Sequence, residues 1–546
     1  MLNEPVVNGI VRIRLTFDPE RLWLLPTATL ETVSGSPSKI PLHRFGEWFC
    51  YLDPETVEWN PESSDFIGHV VCASDRVVSE LHRLQKGKEI REQDSEFTVH
   101  WAGKFAYLDI PEQAWPPRSG TSLTVFKLSR PELKDADPIN VIALSGKNEG
   151  ERYSGFDLHA NKQLLPCVSV KLTKYPFASW DDWPPTTLAQ LNRWIRSHRP
   201  AKEKATWREL ARVILPQQGR PSSALILIET QAGRFGAVLE AGPRQLAGFR
   251  PGAKLAERLR GSNNLTRSLS ISRWAFERLD DDFVLTRNSP SESAPLAGKH
   301  IHLLGAGSIG GSLADLLVQA GAGRNCGSLH IFDPQVLRAE NCGRHLLGVT
   351  ALGRNKATAV VERLRRERLV ENVWAHPCAA GDPKLHKNAD LVIDATAAPN
   401  VGAHLSNHAR WHRSWALISV SVEGEGWVAS THLYRGVAGE SCRECLEPWI
   451  GGRGSHIPKG CEPEQRDGGC GSRYTPYRAA AACMAASLAS ELACDWALGN
   501  ASKLFRAVKM PSAPRHVKAA KYWSPKSLPG CICATKCPSG TTNSKP

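Results

Sequence analysis

Three glycines and a set of spaced polar residues behind them carry the chemistry most visible in this chain. An apolar strand, Ile301 to Leu304, runs into Gly305-Ala-Gly307-Ser-Ile-Gly310, and a helix with apolar periodicity leaves it. In such a loop Gly305 makes the tight turn, Gly307 lets backbone approach a phosphate, and Gly310 allows the helix to pack closely on the strand. The amide groups of the helix start then favour a bound anion. A second strand, Ser328 to Phe332, ends at Asp333, and Asn341, Arg344, Lys356 and a strand-terminal Asp394 follow. A dinucleotide oxidoreductase has little use for an arginine, a lysine and a second acid around its phosphates. An enzyme that splits ATP does. Arg344 and Lys356 can offset triphosphate charge, Asp394 can hold Mg²⁺, and Asp333 can hold the ribose.

The cysteines form a second constellation. Of fifteen, twelve lie from Cys326 onward and none lies between Cys167 and Cys326. Cys442-Arg443-Glu444-Cys445 has the spacing at which two thiolates reach one Zn²⁺, and the tail offers Cys531, Cys533 and Cys537 as further ligands. Cys470, set among glycines shortly before a long Ala-rich helix, has the exposure and helix-start setting that lower a thiol pKa and suit a nucleophile. Cys461 competes with it for that role or for zinc. Cys72, Cys483 and Cys494 fall within helical patterns and are expected in the core.

The glycine loop with Asp333, Asn341, Arg344, Lys356 and Asp394 resembles the ubiquitin-activating and ThiF/MoeB family of adenylating enzymes over roughly residues 270–500. The family's second acid, two residues after the first, is Gln335 here. The resemblance implies adenylation of a protein C-terminus and transfer to a cysteine on a mobile loop, the place of Cys470. It also implies a structural zinc site closed by two distant cysteine pairs, a homodimer, and an arginine reaching ATP across the dimer. Arg287 stands at that arginine's position, with Arg278 a weaker candidate.

The first hundred residues carry a looser likeness. A strand meander beginning at Val11 to Phe17 leads to His43-Arg-Phe-Gly-Glu-Trp-Phe-Cys50, a Trp/Pro segment and a helical run from Phe66 to Leu84. That order resembles ubiquitin-conjugating domains, and implies that Cys50 accepts the acyl group as a thioester and passes it to an amine. The His-Pro-Asn triplet usual ahead of the cysteine is absent. A conjugating-like module fused ahead of an activating one is similar to the bacterial fusions associated with cGAS-like nucleotidyltransferases in antiphage CBASS operons. The partner implied is a protein with an exposed C-terminal tail, either such a nucleotidyltransferase or a ubiquitin-like modifier. A sulfur-carrier or tRNA-modifying adenylyltransferase would share the glycine loop and leave the first 270 residues without a task.

The elements needed to position these residues give an α/β fold. A C-terminal Rossmann-like adenylation domain is expected over 286–500, after a Ser/Pro-rich lead-in, Asn288 to Gly298. An N-terminal α+β conjugating-like domain is expected over 1–165, an accessory region over 166–285, and a basic tail over 501–546. Trp180, Trp183 and Trp194 in the accessory region read as packing residues. A chain of 546 residues exceeds what one core usually serves. The formal charge is +13, but the stretch Trp496 to Pro546 holds nine basic residues and no acid, leaving +4 for the other 495 residues. With no nucleic-acid-binding motif, that charge argues for a partner-binding or solvated tail rather than a nucleic-acid enzyme. No apolar run is long enough to span a bilayer, and no signal peptide is visible at Met1, so a cytoplasmic protein with reduced thiols is expected.

Overall fold

The computed structural model describes residues 2–6, 9–17, 26–35, 44–45, 48–49, 66–85, 101, 103–129, 138–145, 153, 156, 162–172, 184–197, 223–230, 233–240, 269–290, 293–368, 370–412, 414–450, 456–458, 461–469, 472–518 and 521–534. The chain divides into two compact units, one drawn mostly from residues before Asp281 and the other mostly from Asp281 onward.

The first unit opens with an antiparallel meander, β1 (Leu2–Val6), β2 (Gly9–Thr16) and β3 (Thr27–Gly35), extended by the short strands β4 (Arg44–Phe45) and β5 (Trp48–Phe49) in the order β1-β2-β3-β5-β4. Helix α1 (Phe66–Gln85) follows. Its Val77 and Leu81 cluster with Val11, Ile13, Ala28 and Leu30 of the sheet, one face of each element being apolar. Cys72 is exposed rather than buried, because the apolar stripe runs through Ala73, Val77 and Leu81 and carries its neighbour outward.

The same unit contains a closed barrel, which was not expected. Its strands are β6 (Lys104–Asp109), β7 (Ser122–Leu128), β8 (Ile139–Leu144), β9 (Lys162–Lys171), β10 (Ser223–Thr230), β11 (Gly233–Glu240) and β12 (Ile271–Arg278), ordered β10-β11-β12-β6-β8-β7-β9. Closure comes from parallel pairing of β12 with β6 and of β9 with β10. The domain boundary expected at 165/166 therefore falls inside a strand. Helix α2 (Leu188–Ser197) packs Leu188, Leu191, Trp194 and Ile195 into the cluster of Trp101 and Phe235. The ring centroid of Trp101 lies 5.4 Å from that of Trp194 and 4.9 Å from that of Phe235. Trp194 is thus a packing residue, while Trp180 and Trp183 lie outside the described residues.

The second unit is a doubly wound sheet. After α3 (Asp281–Thr286) come β13 (His300–Leu304), α4 (Ser308–Gln319), β14 (Ser328–Phe332), α5 (Lys356–Arg368), β15 (Val373–His376), β16 (Leu391–Asp394), α6 (Pro399–His412), β17 (Ala416–Glu423) and β18 (Val428–Tyr434). Then follow α7 (Arg443–Ile450), a hairpin of β19 (Arg466–Gly469) and β20 (Ser472–Tyr474), α8 (Ala479–Ala497), β21 (Phe505–Lys509) and β22 (Lys521–Trp523). The order is β15-β14-β13-β16-β17-β18-β21-β22, parallel from β15 to β17 and antiparallel beyond. Strands covered on both faces read as unbroken apolar runs, as in Leu391-Val-Ile-Asp394, where all four residues are buried. The basic stretch after residue 500 is no loose tail through Ala534. Phe505 and Ala507 of β21 are buried while the intervening Arg506 pairs with Asp495, so this part of the stretch alternates as a strand does. No helix among the described residues is long and apolar enough to cross a membrane.

Beneath α6, the face of the sheet away from α4 holds a histidine cluster. His302 Nδ1 is 2.9 Å from His386 Nδ1, and His330 Nδ1 is 2.9 Å from His376 Nε2. Burial, then the neighbouring rings, push His302 down to about 3 and His330 to about 4 from an ordinary 6.5. The unfolded chain consequently takes up protons before the fold does. Stability is full above about pH 6.5 and declines as pH falls from there toward 4, by several kcal/mol at about 1.4 kcal/mol per unit. Chemical-denaturation midpoints measured from pH 7.5 to 4.5 should show this decline, and His302→Gln should flatten the profile. A variant profile parallel to that of the wild-type protein would remove His302 from the account.

Candidate nucleotide site and cysteine cluster

In the doubly wound sheet the strand order reverses between β13 and β16, and ligands of such sheets bind in the crevice beyond the carboxyl ends of the strands flanking that point. The glycine loop leaves β13 there. Gly305 adopts φ +88°, and a Cβ on it would meet the Ala395 carbonyl oxygen at 2.8 Å. A Cβ on Gly310 would lie 1.8 Å from the Gly305 carbonyl oxygen, whereas one on Gly307 would have no atom of the described residues within 4 Å. The three expected roles are distinct: turn, open approach, and close helix packing.

Around the loop, Asp333 is buried, and each of its carboxylate oxygens accepts a backbone amide. The Ala306 amide donates to its Oδ2 (2.7 Å) and the Gln335 amide to its Oδ1 (2.8 Å). Lys356, 6% exposed, donates from Nζ to Gln335 Oε1 at 2.8 Å. Burial lowers the Lys356 pKa, and the Arg344 charge works in the same direction against the pull of Asp333. Gln335, where the resembled family has an acid, holds the lysine without neutralising it. Arg344 donates from Nε to Ser308 Oγ (3.1 Å) and lies over the Tyr477 ring at 4.8 Å. Asn341 caps a short 3₁₀ turn, its Oδ1 accepting from the Arg338 amide at 3.2 Å, and its carbonyl accepts from the Arg344 amide at 3.1 Å.

Asp394, 4% exposed, accepts from the Thr396 amide (3.0 Å) and hydroxyl (2.7 Å) on Oδ1. Its Oδ2 lies 3.9 Å from Arg443 Nη1. A Cβ on Gly402 would fall 2.2 Å from that arginine nitrogen and 2.7 Å from Asp394 Oδ2, so the glycine admits the pair. For Asp394 to hold Mg²⁺, its Oδ2 would have to exchange Arg443 for the ion.

Sequence reasoning passed over Arg443; the signal was its place between two paired cysteines. It also gave no role to His345, whose Nε2 meets the Ala306 carbonyl at 2.6 Å while Nδ1 accepts from the Leu347 amide at 3.0 Å. Those bonds require the Nε2–H tautomer. Arg287 is exposed at the end of α3. Arg278, in the other unit, is spent on Asp280 (2.6 Å) and Glu112 (2.9 Å).

Four of the five cysteines marked for zinc converge. The sulfurs of Cys442, Cys445, Cys531 and Cys533 lie within 4.8 Å of one another, with separations of 3.3 to 3.9 Å along the closest contacts. Ligands on a tetrahedron of Zn–S length ~2.3 Å stand about 3.8 Å apart, so the donor set fits Zn²⁺. Arg410 Nη1 donates toward Cys531 (3.5 Å) and Cys442 (3.8 Å), and the Leu528 amide donates to Cys445 (3.2 Å). Those donors suit sulfurs carrying negative charge. Cys537 lies outside the described residues.

Residues 287–522 match the family model described as the ThiF family. This part of the chain is a ThiF-family domain. Along most of its length the whole chain is similar to proteins named ATP-dependent ubiquitin transferase-like protein Cap2. The Pseudomonas aeruginosa (strain BWHPSA011 / Pa011) relative is 27% identical over 505 residues, 91% of this chain and 87% of that protein. The Escherichia coli (strain TW11681) relative is 25% identical over 520 residues, 88% and 85% of the two chains. The solved structure of E. coli MccB with ATP is 15% identical, covering 54% of this chain and 84% of that one with a TM-score of 0.34.

Within the ThiF domain, β19 and β20 bracket positions 470 and 471, with Gly469 opposite Ser472. Cys470 itself, like Cys50 just after β5, lies outside the described residues. Cys461 is half-buried on the approach to β19. Cys483 is corrected from the core: it is exposed, because α8 turns its alanines, among them Ala482, Ala485, Ala486 and Ala489, toward the sheet and α4, while Cys494 is half-buried and packs against that core.

Proposed function

We propose that this chain activates a protein C-terminus with ATP and conjugates it to a target amine in bacterial CBASS-type antiphage defence. The supporting observation is a ThiF-domain switch-point site carrying Arg344 and Lys356 beside its glycine loop, in a chain similar over about nine-tenths of its length to ubiquitin transferase-like relatives. The activated protein is one with an exposed C-terminal tail, a cGAS-like nucleotidyltransferase being the first candidate and a ubiquitin-like modifier the second. The enzyme works in the cytoplasm as a homodimer, with Arg287 reaching the partner subunit's nucleotide.

The tail carboxylate attacks the α-phosphorus of ATP, the bond to the leaving pyrophosphate breaks, and an acyl-adenylate forms. The amides at the start of α4, from Gly307 onward, face the phosphates, while Arg344 and Lys356 offset the charge gathering on the leaving group. Asp333, which holds the loop through the Ala306 amide, takes the ribose hydroxyls in this reading. Mg²⁺ held at Asp394 would supply charge neutralisation on the phosphates. The Cys470 thiolate then attacks the acyl carbon and expels AMP. Cys50 takes the acyl group by exchange between thioesters of nearly equal energy, a step that needs positioning more than a strong base. An amine finally displaces the Cys50 thiolate and gives an amide. One polypeptide carrying both cysteines raises their effective concentration.

The test is a thioester trap. The chain, MgATP and a candidate carrier are quenched and weighed intact without reductant. A reductant-sensitive adduct that persists in Cys50→Ala and disappears in Cys470→Ala is expected. An adenylate with no thioester on either cysteine would move the assignment to a sulfur-carrier or RNA-directed adenylyltransferase.

The four clustered cysteines support a bound Zn²⁺ with a structural task. One equivalent of zinc by elemental analysis is expected, falling below one tenth in Cys442→Ser. Full occupancy in that variant, or none in the wild-type protein, contradicts the assignment.

A further inference from the structure

We infer that Tyr477 is the positioning residue for Arg344, and that their contact joins the nucleotide site to the hairpin bracketing Cys470. The inference rests on the reading that Arg344 meets ATP phosphates. Arg344 sits on the loop after β14 with two restraints on its guanidinium. Ser308, the first residue of α4, accepts from Nε at 3.1 Å, and the Tyr477 ring lies 4.8 Å from the guanidinium carbon. Among the described residues neither Nη group has a hydrogen-bond partner, so the fork is open to an anion while the ring and the serine fix its plane. A planar guanidinium gains its strength with phosphate from that fixed fork geometry.

Tyr477 is itself well anchored. The β17–β18 turn comes so close that a Cβ on Gly426, at φ +80°, would lie 3.0 Å from the Tyr477 Cβ and 2.8 Å from that of Ala481. Only Thr475 and Pro476 separate Tyr477 from the end of β20, and Arg478 caps α8 immediately after it. The ring therefore stands where a rigid helix, a sheet turn and the cysteine hairpin meet. When ATP oxygens occupy the open Nη groups, the charge that Tyr477 senses is shared with phosphate, and whatever ATP does to this contact the contact does in return to ATP affinity.

A double-mutant cycle on the full-length protein tests this, with a non-hydrolysable ATP analogue and Mg²⁺ as the probe in calorimetry. Tyr477→Leu is expected to weaken binding by about 3- to 30-fold, the range of a cation–π contact. Tyr477→Phe, which keeps the ring face, should stay within about twofold. In an Arg344→Ala background the Leu substitution should have no further effect, an outcome that a merely structural role would not produce. Amide exchange over residues 472–477 should change on adding the analogue to the wild-type protein and not to Tyr477→Leu. If Arg344→Ala binds the analogue as the wild-type protein does, the reading of Arg344 as a phosphate ligand fails. If Arg344→Ala binds weakly while Tyr477→Leu binds normally, or loses as much in both backgrounds, the role of Tyr477 fails. Unchanged exchange in the wild-type protein overturns the link to the hairpin.

Discussion

Lys356→Met should lower the rate of adenylate formation by about 10²- to 10³-fold, the usual effect of removing one preorganised donor from developing charge. The lysine is almost wholly buried, and its ammonium is held by a neutral amide oxygen, Gln335 Oε1 at 2.8 Å. Water screens it little, so its charge acts at high strength on a phosphate entering the crevice. Burial lowers its pKa, and a triphosphate arriving beside it should raise it again. Methionine preserves the apolar stem and removes only the charge and its donor. ATP–pyrophosphate exchange with a carrier that forms the thioester is the measurement, with thermal midpoint as the control for folding. Exchange within about threefold of wild type would mean that Lys356 is a structural cation holding Gln335, and the assignment of the crevice to a triphosphate would lose its strongest charge.

Gly310→Val and Gly307→Ala should fail in opposite ways. At Gly310 any Cβ collides with the Gly305 carbonyl oxygen at 1.8 Å, backbone against backbone, and neither partner can rotate away. The substitution should destabilise the ThiF domain by several kcal/mol, seen as a lowered thermal midpoint and poor soluble yield. At Gly307 no described residue comes within 4 Å of a Cβ, and φ is −75°, a value alanine adopts freely. Gly307→Ala should fold with an unchanged midpoint and lose about tenfold or more in ATP affinity, since its methyl occupies the approach to phosphate. A Gly307→Ala protein that binds ATP normally would put the phosphates elsewhere.

Both predictions concern residues whose places in the fold could be read from the chain, because a strand, a glycine loop and a helix are written locally within a dozen residues. Asp333 and Asp394 were legible for the same reason, each ending an apolar run. What the local pattern could not carry was pairing at a distance. Residues 162–171 read as the end of one domain, and only the partnership with residues 223–230 reveals a barrel strand. The alternating charge of Phe505–Lys509 reads as a solvated tail until β18 lies beside it. The zinc cysteines sit between these cases. The Cys442/Cys445 spacing is local, while the choice of Cys531 and Cys533 depends on a fold that returns the chain 88 residues later. Arg443 escaped notice because its partner, Asp394, comes from a different strand end.

The barrel that joins residues 104 to 278 also constrains how this chain can be divided. Cut at the apparent boundary near residue 165, β9 would end mid-strand and the seam of β6 with β12 would have to form between separate molecules. Each fragment would expose unpaired backbone along open sheet edges, the template on which strands aggregate. A break between Asp280 and Asp281 leaves every strand of the barrel with its neighbours and every strand of the doubly wound sheet with its own. Among the described strands, that is a point at which the chain could be divided with every pairing kept.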